Sequence, residues 1–166
     1  FAAYRRALRQ DLGFQGRAYY PPPDPVNALL SLGYTLLLQR IAGALGVVGL
    51  DPDLGAMHAL DYGRPSLALD LEEEFRPIVV DALVLELVNH GKLGARDFRR
   101  GEKGVLLSDE GRGVFLHAFE ERLAARIVYP PTQETTTYRR CIELQARQVV
   151  RYVLGQQERY LPLAVR

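Results

Sequence analysis

The chain is poor in cysteine and lysine, and it has no long unbroken apolar run. Cys141 is its single cysteine, which excludes an internal disulfide and fits a reducing cytoplasm. Lys92 and Lys103 are the only lysines, against nineteen arginines. That excess suits a phosphate-binding surface, because the guanidinium fork matches phosphate geometry. It equally suits the coding bias of a GC-rich genome. The longest apolar run, residues 41 to 50, is bounded by Arg40 and Asp51 and is too short to span a bilayer. No membrane partner is therefore expected, and no signal peptide is visible. No G-x-x-x-x-G-K-[ST] occurs, and "GRGVF" at 111 to 115 is no nucleotide loop, so an NTPase is not expected. Methionine occurs once, at Met57, and the chain opens on Phe1, which reads as part of a longer protein.

What is present is a soluble globular composition, 48% hydrophobic and 25% charged, with a net charge of +1 that neither demands nor excludes nucleic acid. At 166 residues one domain with a real core is expected, burying roughly 68–70% of the unfolded surface. "FAAYRRALRQDL" reads as a helix, and "GFQGRAYYPPPDP" as a linker. Asp24-Pro25 supplies an N-cap and a first-turn proline for a helix over residues 25 to 45. That helix is apolar nearly all round, which implies burial on several sides, with Ser31 and Gly33 permitting close packing. Asp51-Pro52 repeats the device for a short helix, and Ser66 can cap a further one running to Asn89. "DFRR", "GEKG" and "VLL" read as one small hairpin. Two more helices are expected, over residues 109 to 128 and 136 to 154, separated by "YPPT". The sum is an all-α, multi-helix domain with at most one small β-hairpin.

The stretch "MHALDYGRPSLALDLEEEFRP", residues 57 to 77, carries the densest chemistry. At helical spacing Asp70, Glu73 and Glu74 share a side and Glu72 points elsewhere. Arg64 and Arg76 bracket the acids, and Asp81 continues near their side. Pro77 lacks the N–H for the Glu73 carbonyl, so a kink is expected at the acids. Two readings stay open. The acids complement the dipole of a solvated helix start, or with His58 they hold a divalent cation. Carboxylates with one imidazole suit Mg²⁺ or Mn²⁺ better than a closed zinc site. His90 and His117 read as a helix-end and a surface residue, and Cys141 as core.

Several stretches together resemble one family. These are "DPVNALLSLGYTLL" at 24 to 37, "GLDPDLGAMH" at 49 to 58, "GRPSLALDLEEEFRP" at 63 to 77, "GVLLSDEGR" at 104 to 112 and "YRRCIELQARQVVRYVLG" at 138 to 155. In this order they resemble the C-terminal helical domain of the CRISPR-associated adaptation integrase (Cas-one), a metal-dependent DNA endonuclease. The resemblance implies a single helical catalytic domain over residues 1 to 166, without the family's N-terminal β-rich domain. It implies metal ligation by His58 and Glu73, with Asp70 as a supporting catalytic acid and Glu72 and Glu74 as bystanders. The family's first ligand, a Glu in a motif like "EGxAAxxY", would precede "FAAYRRAL", so two ligands of three are expected here and this stretch alone is expected to be inactive.

The implied reaction inserts spacer DNA into the CRISPR array by attack of a 3′-OH on a phosphodiester, with Mg²⁺ or Mn²⁺ as cofactor. The implied partners are double-stranded DNA (spacer precursor and CRISPR repeat), a second copy of the chain in a homodimer, and the small dimeric partner Cas-two. Arg64 and Arg76 would neutralise phosphates or pair with the acids. Arg17, Asn27 and Tyr34 would touch DNA or hold the fold. Arg140, Arg147 and Arg151 share one side of the last helix, as a DNA-tracking or a solvated face. The competing readings are a non-catalytic DNA- and partner-binding module with a structural acid cluster, and an inactive domain of a fusion protein.

Overall fold

Asp24 starts the longest helix. Its Oδ1 accepts the Asn27 backbone N–H at 2.9 Å, the bond an N-cap aspartate makes, and Pro25 opens α2, Pro25–Val47. The structure, a computed structural model, describes residues 1–55 and 65–163. The other helices are α1 (Ala2–Ala7), α3 (Ser66–Phe75), α4 (Ala82–Asn89), α5 (Asp109–Ala124) and α6 (Tyr138–Val153). The described residues form an all-α fold carrying two small antiparallel hairpins, β1–β2 (Phe98–Gly101, Gly104–Leu107) and β3–β4 (Arg126–Tyr129, Glu134–Thr137).

The second hairpin departs from the single hairpin expected. Residues 126–129 end no helix, and "YPPT" is the hairpin's turn rather than a break between helices. The β-branched runs "RIV" and "TTT" favour the pleated pairing, and two prolines can neither donate to nor continue a helix. Asp51-Pro52 starts no helix within residues 51–55, which form a turn.

The chain divides into two compact units, Phe1–Thr35 with Val79–Arg122, and Leu36–Ile78 with Leu123–Arg166. The first is built on Val26, Leu29 and Leu30 of α2, Leu83, Val84, Leu87 and Val88 of α4, and the stacked Phe115 and Phe119 of α5. Gly33 lets the chain approach closely, because a Cβ there would lie 2.5 Å from Val80 Cγ1. Gly104 is needed twice over: its φ is +88° and a Cβ would meet the Pro22 carbonyl at 2.5 Å. The second unit buries Leu37, Ile41 and Leu45 of α2, Ala68, Leu71 and Phe75 of α3, and Cys141, Ile142 and Ala146 of α6.

By length and composition α2 is apolar enough to cross a membrane, with mean hydropathy 1.4. Leu29, Leu30, Leu37, Ile41 and Leu45 are nonetheless fully buried, as in a core helix of a globular protein. Between α3 and α4 the chain forms a π-helical turn, Arg76–Asp81. Pro77 explains it: with no N–H to return to Glu73, the ladder widens rather than simply kinking.

Candidate functional site

The start of α3 is capped by backbone rather than by Ser66. Pro65 stands at the N-cap position with no side-chain cap bond. Instead the Pro52 carbonyl accepts the Leu67 and Ala68 N–H groups at 2.8 and 3.2 Å. Gly55 makes this contact possible, since a Cβ there would fall 2.5 Å from Ser66 Cβ and 3.0 Å from Asp70 Oδ2. The turn that leads toward His58 is thus seated directly on the acid-bearing helix. His58 and Arg64 themselves lie outside the described residues.

The four acids, expected to be a ligand, its support and two solvated bystanders, occupy four different environments. Asp70 is buried. Glu73 is exposed and paired with Arg76, Nη1 to Oε1 at 2.5 Å. Glu72, expected to be a solvated bystander, is 4% exposed, and among the described residues its Oε1 has no hydrogen-bond partner. Burial pushes its carboxyl up to about 7, against the pull of Arg76 and with a further push from Glu73. Glu74, the other expected bystander, accepts from Tyr160 Oη, Gln145 Nε2 and the Leu163 N–H. Asp81 is engaged by the Tyr34 hydroxyl at Oδ1.

Asp70 and Glu73 offer hard carboxylate oxygens one turn apart on a helix whose entry loop is packed against Asp70. That donor chemistry fits a divalent cation of the Mg²⁺ or Mn²⁺ kind. Among the described residues no three His, Cys, Asp or Glu side chains form a metal-holding group.

Arg17, Asn27 and Tyr34 are brought together in the first unit. Arg17 donates to Asn27 Oδ1 at 3.1 Å, and its guanidinium lies 5.1 Å from the Tyr19 ring centroid and 5.4 Å from that of Tyr34. Asn27 is fully buried and also bonds Gly16, Ala18 and Asp24. Its placement is that of a residue pinning the linker to α2. On α6, Arg140, Arg147 and Arg151 are all exposed, and Arg140 pairs with Glu143. Burial pushes the Cys141 thiol up to about 11, as for an inert core cysteine.

One basic feature was not singled out from the sequence. A groove of about 750 Å³ in the first unit is lined by Arg99, Lys103 and Arg112 together with Glu102 and Tyr20. The basic turn "RRGEKG" was its available signal.

The family model described as CRISPR associated protein Cas1 matches residues 1–121. A Thermus thermophilus protein, "CRISPR-associated endonuclease Cas1 3", is 45% identical over 166 residues, which is 100% of this chain and 50% of that protein. Among solved structures, a casposase bound to integration product superposes with TM-score 0.85 at 28% identity, covering 94% of this chain and 44% of that one. A partial Cas6-RT-Cas1–Cas2 complex gives TM-score 0.83 at 26% identity, covering 98% and 49%. The fold is that of the helical domain of a CRISPR-associated protein. The chain belongs to the Cas1 family, and its helices match that family's C-terminal helical domain. It spans about half the length of the curated relatives it matches.

Proposed function

We propose that this chain is the helical catalytic part of a metal-dependent DNA integrase and endonuclease of CRISPR adaptation. The observation that carries this is the pair Asp70 and Glu73 on α3, with Arg76 beside them, in a chain of the Cas1 family. The 3′-OH of an incoming spacer precursor attacks a phosphodiester at the edge of a CRISPR repeat. A new P–O bond forms to that oxygen, the target strand's P–O3′ bond breaks, and the attacking hydroxyl loses its proton while the leaving oxygen gains one. His58 and Glu73 would hold Mg²⁺ or Mn²⁺, with Asp70 in support, and the cation would supply Lewis-acid stabilisation of charge on the phosphate. Arg76 offsets phosphate charge when Glu73 turns from it, and Arg64 is assigned the same task.

The DNA is double-stranded, and the functional assembly is a homodimer joined by Cas2, a reading supported by the likeness to a Cas1–Cas2 complex. The single, buried cysteine agrees with a cytoplasmic location.

An integration assay on the full-length protein with Mn²⁺ tests this. His58→Ala and Glu73→Ala are each expected to abolish strand transfer and manganese binding. A second reading, a DNA- and partner-docking module, is favoured by the structural use of Glu74 and by the Glu73–Arg76 pair. Under it both variants keep wild-type integration.

A further inference from the structure

Glu74 is the point at which two chain segments, α6 and residues 155–163, are tied to α3 through three donors. Its Oε1 accepts from the Tyr160 hydroxyl at 2.5 Å. Its Oε2 accepts from Gln145 Nε2 of α6 and from the Leu163 backbone N–H, both at 2.7 Å. Gln145 is fully buried. Its carbonyl oxygen takes the Tyr129 hydroxyl at 2.6 Å and Gln148 Nε2 at 3.0 Å. Gln148 in turn reaches the Leu161 carbonyl at 3.2 Å.

This network decides how residues 155–163 are held. That segment has no regular secondary structure, and Leu163 is its one buried side chain. Apolar burial therefore contributes little, and hydrogen bonds hold the strap down. The bonds to the Glu74 carboxylate are the strongest class among them.

An open pocket of about 220 Å³ lies along α3, lined by Leu67, Leu71, Val149, Tyr152 and Tyr160 together with Asp70 and Glu74. Native interiors fix a helix by close packing, and Ala68, Leu71 and Phe75 of α3 are buried in this way. The Glu74 bonds add a directional constraint on rotation of α3 about its axis. Asp70 lies one turn before Glu74 and Glu73 directly precedes it, so any such rotation carries both acids with it.

We infer that Glu74 is a positioning residue for the acid pair, and that segment 155–163, through Tyr160 and Leu163, sets the orientation in which Asp70 and Glu73 are presented. The inference rests on the reading of those two acids as the cation-binding pair.

The test is manganese affinity and EPR line shape of the full-length protein, with tryptic cleavage after Arg159 as a second readout. Glu74→Ala is expected to weaken Mn²⁺ binding about ten-fold, the scale of lost supporting contacts around a metal, and to speed that cleavage. Tyr160→Phe removes one donor and gives a smaller loss in the same direction. The double variant binds no more weakly than Glu74→Ala alone, as for two members of one latch. Faster cleavage with unchanged affinity and line shape would overturn the inference, as would additive losses. Should Glu74→Ala fail to fold, Tyr160→Phe decides on the same readouts, since two of the three Glu74 donors remain. Wild-type protein lacking Glu73-dependent manganese binding sinks the cation reading and this inference together. Wild-type binding that survives Glu74→Ala sinks the latch alone.

Discussion

Arg76 Nη1 lies 2.5 Å from Glu73 Oε1, one turn apart across the end of α3, with the two side chains 26% and 50% exposed. The acid assigned to a cation is thus already neutralised by a neighbouring arginine. An exposed pair of this kind is worth only about 0–1 kcal/mol, so under the proposed function exchange of the arginine at Glu73 for a cation would cost little.

From this pair follows a double effect of Arg76→Ala. Manganese affinity is expected to tighten, because a competing cation has gone. The salt dependence of DNA binding is expected to fall by about one unit of slope. Calorimetric titration with Mn²⁺ and DNA affinity across a salt series measure the two effects. Weaker manganese binding in this variant would show that Arg76 supports the site rather than competes with it.

Glu72 makes stability depend on pH. In the unfolded chain its carboxyl titrates near 4.5, and burial raises it to about 7 in the fold. Between these values the folded state binds more protons, so stability falls as pH rises, by about 3 kcal/mol in total. Below the lower value the group is neutral in both states and imposes no penalty. Glu72→Gln is expected to match wild type at pH 4 and to exceed it progressively up to pH 8. Urea unfolding in EDTA at both ends of that range measures the difference, and parallel pH profiles would contradict the assignment.

Two glycines of α2 should respond oppositely to alanine. At Gly33 the new Cβ meets Val80 at 2.5 Å and Phe115 at 3.3 Å, and overpacking of this kind costs about 1–3 kcal/mol. At Gly43 nothing lies within 4 Å, and the gain in helix propensity is about 0.5–1 kcal/mol. Thermal melts of the two variants on either side of wild type are the expected outcome.

The exposed side of α6 gives a last test. Arg147→Ala with Arg151→Ala is expected to lower the DNA-binding salt slope by roughly two while leaving manganese affinity alone. An unchanged slope would make this a solvated face.

Much of the helical framework was legible from local signals. Asp24-Pro25 caps and opens α2, and "DFRRGEKGVLL" carries its own turn. These features are set by residues within a few positions of one another. The second hairpin was harder, because Arg126–Tyr129 follows α5 without a break in polarity, and β-branching was its main sign. Ser66 looked like a cap, yet a backbone carbonyl from Pro52 does that work, and backbone acceptors have no sequence signature.

The acids divide the same way. Helical spacing alone places Asp70 and Glu73 one turn apart, because 3.6 residues per turn is a property of the backbone. The family pattern added which of them to choose. Spacing could not say that Glu72 is buried or that Glu74 holds Tyr160, since those facts depend on side chains from segments 71 to 89 positions away. The sequence by itself determined the capped start of α2, most of the helical framework and the presence of an acid cluster, all governed by short-range geometry. Only the tertiary structure decided which acid faces water, which is buried and which anchors the C-terminal segment, because burial and long-range hydrogen bonds exist only once distant segments meet.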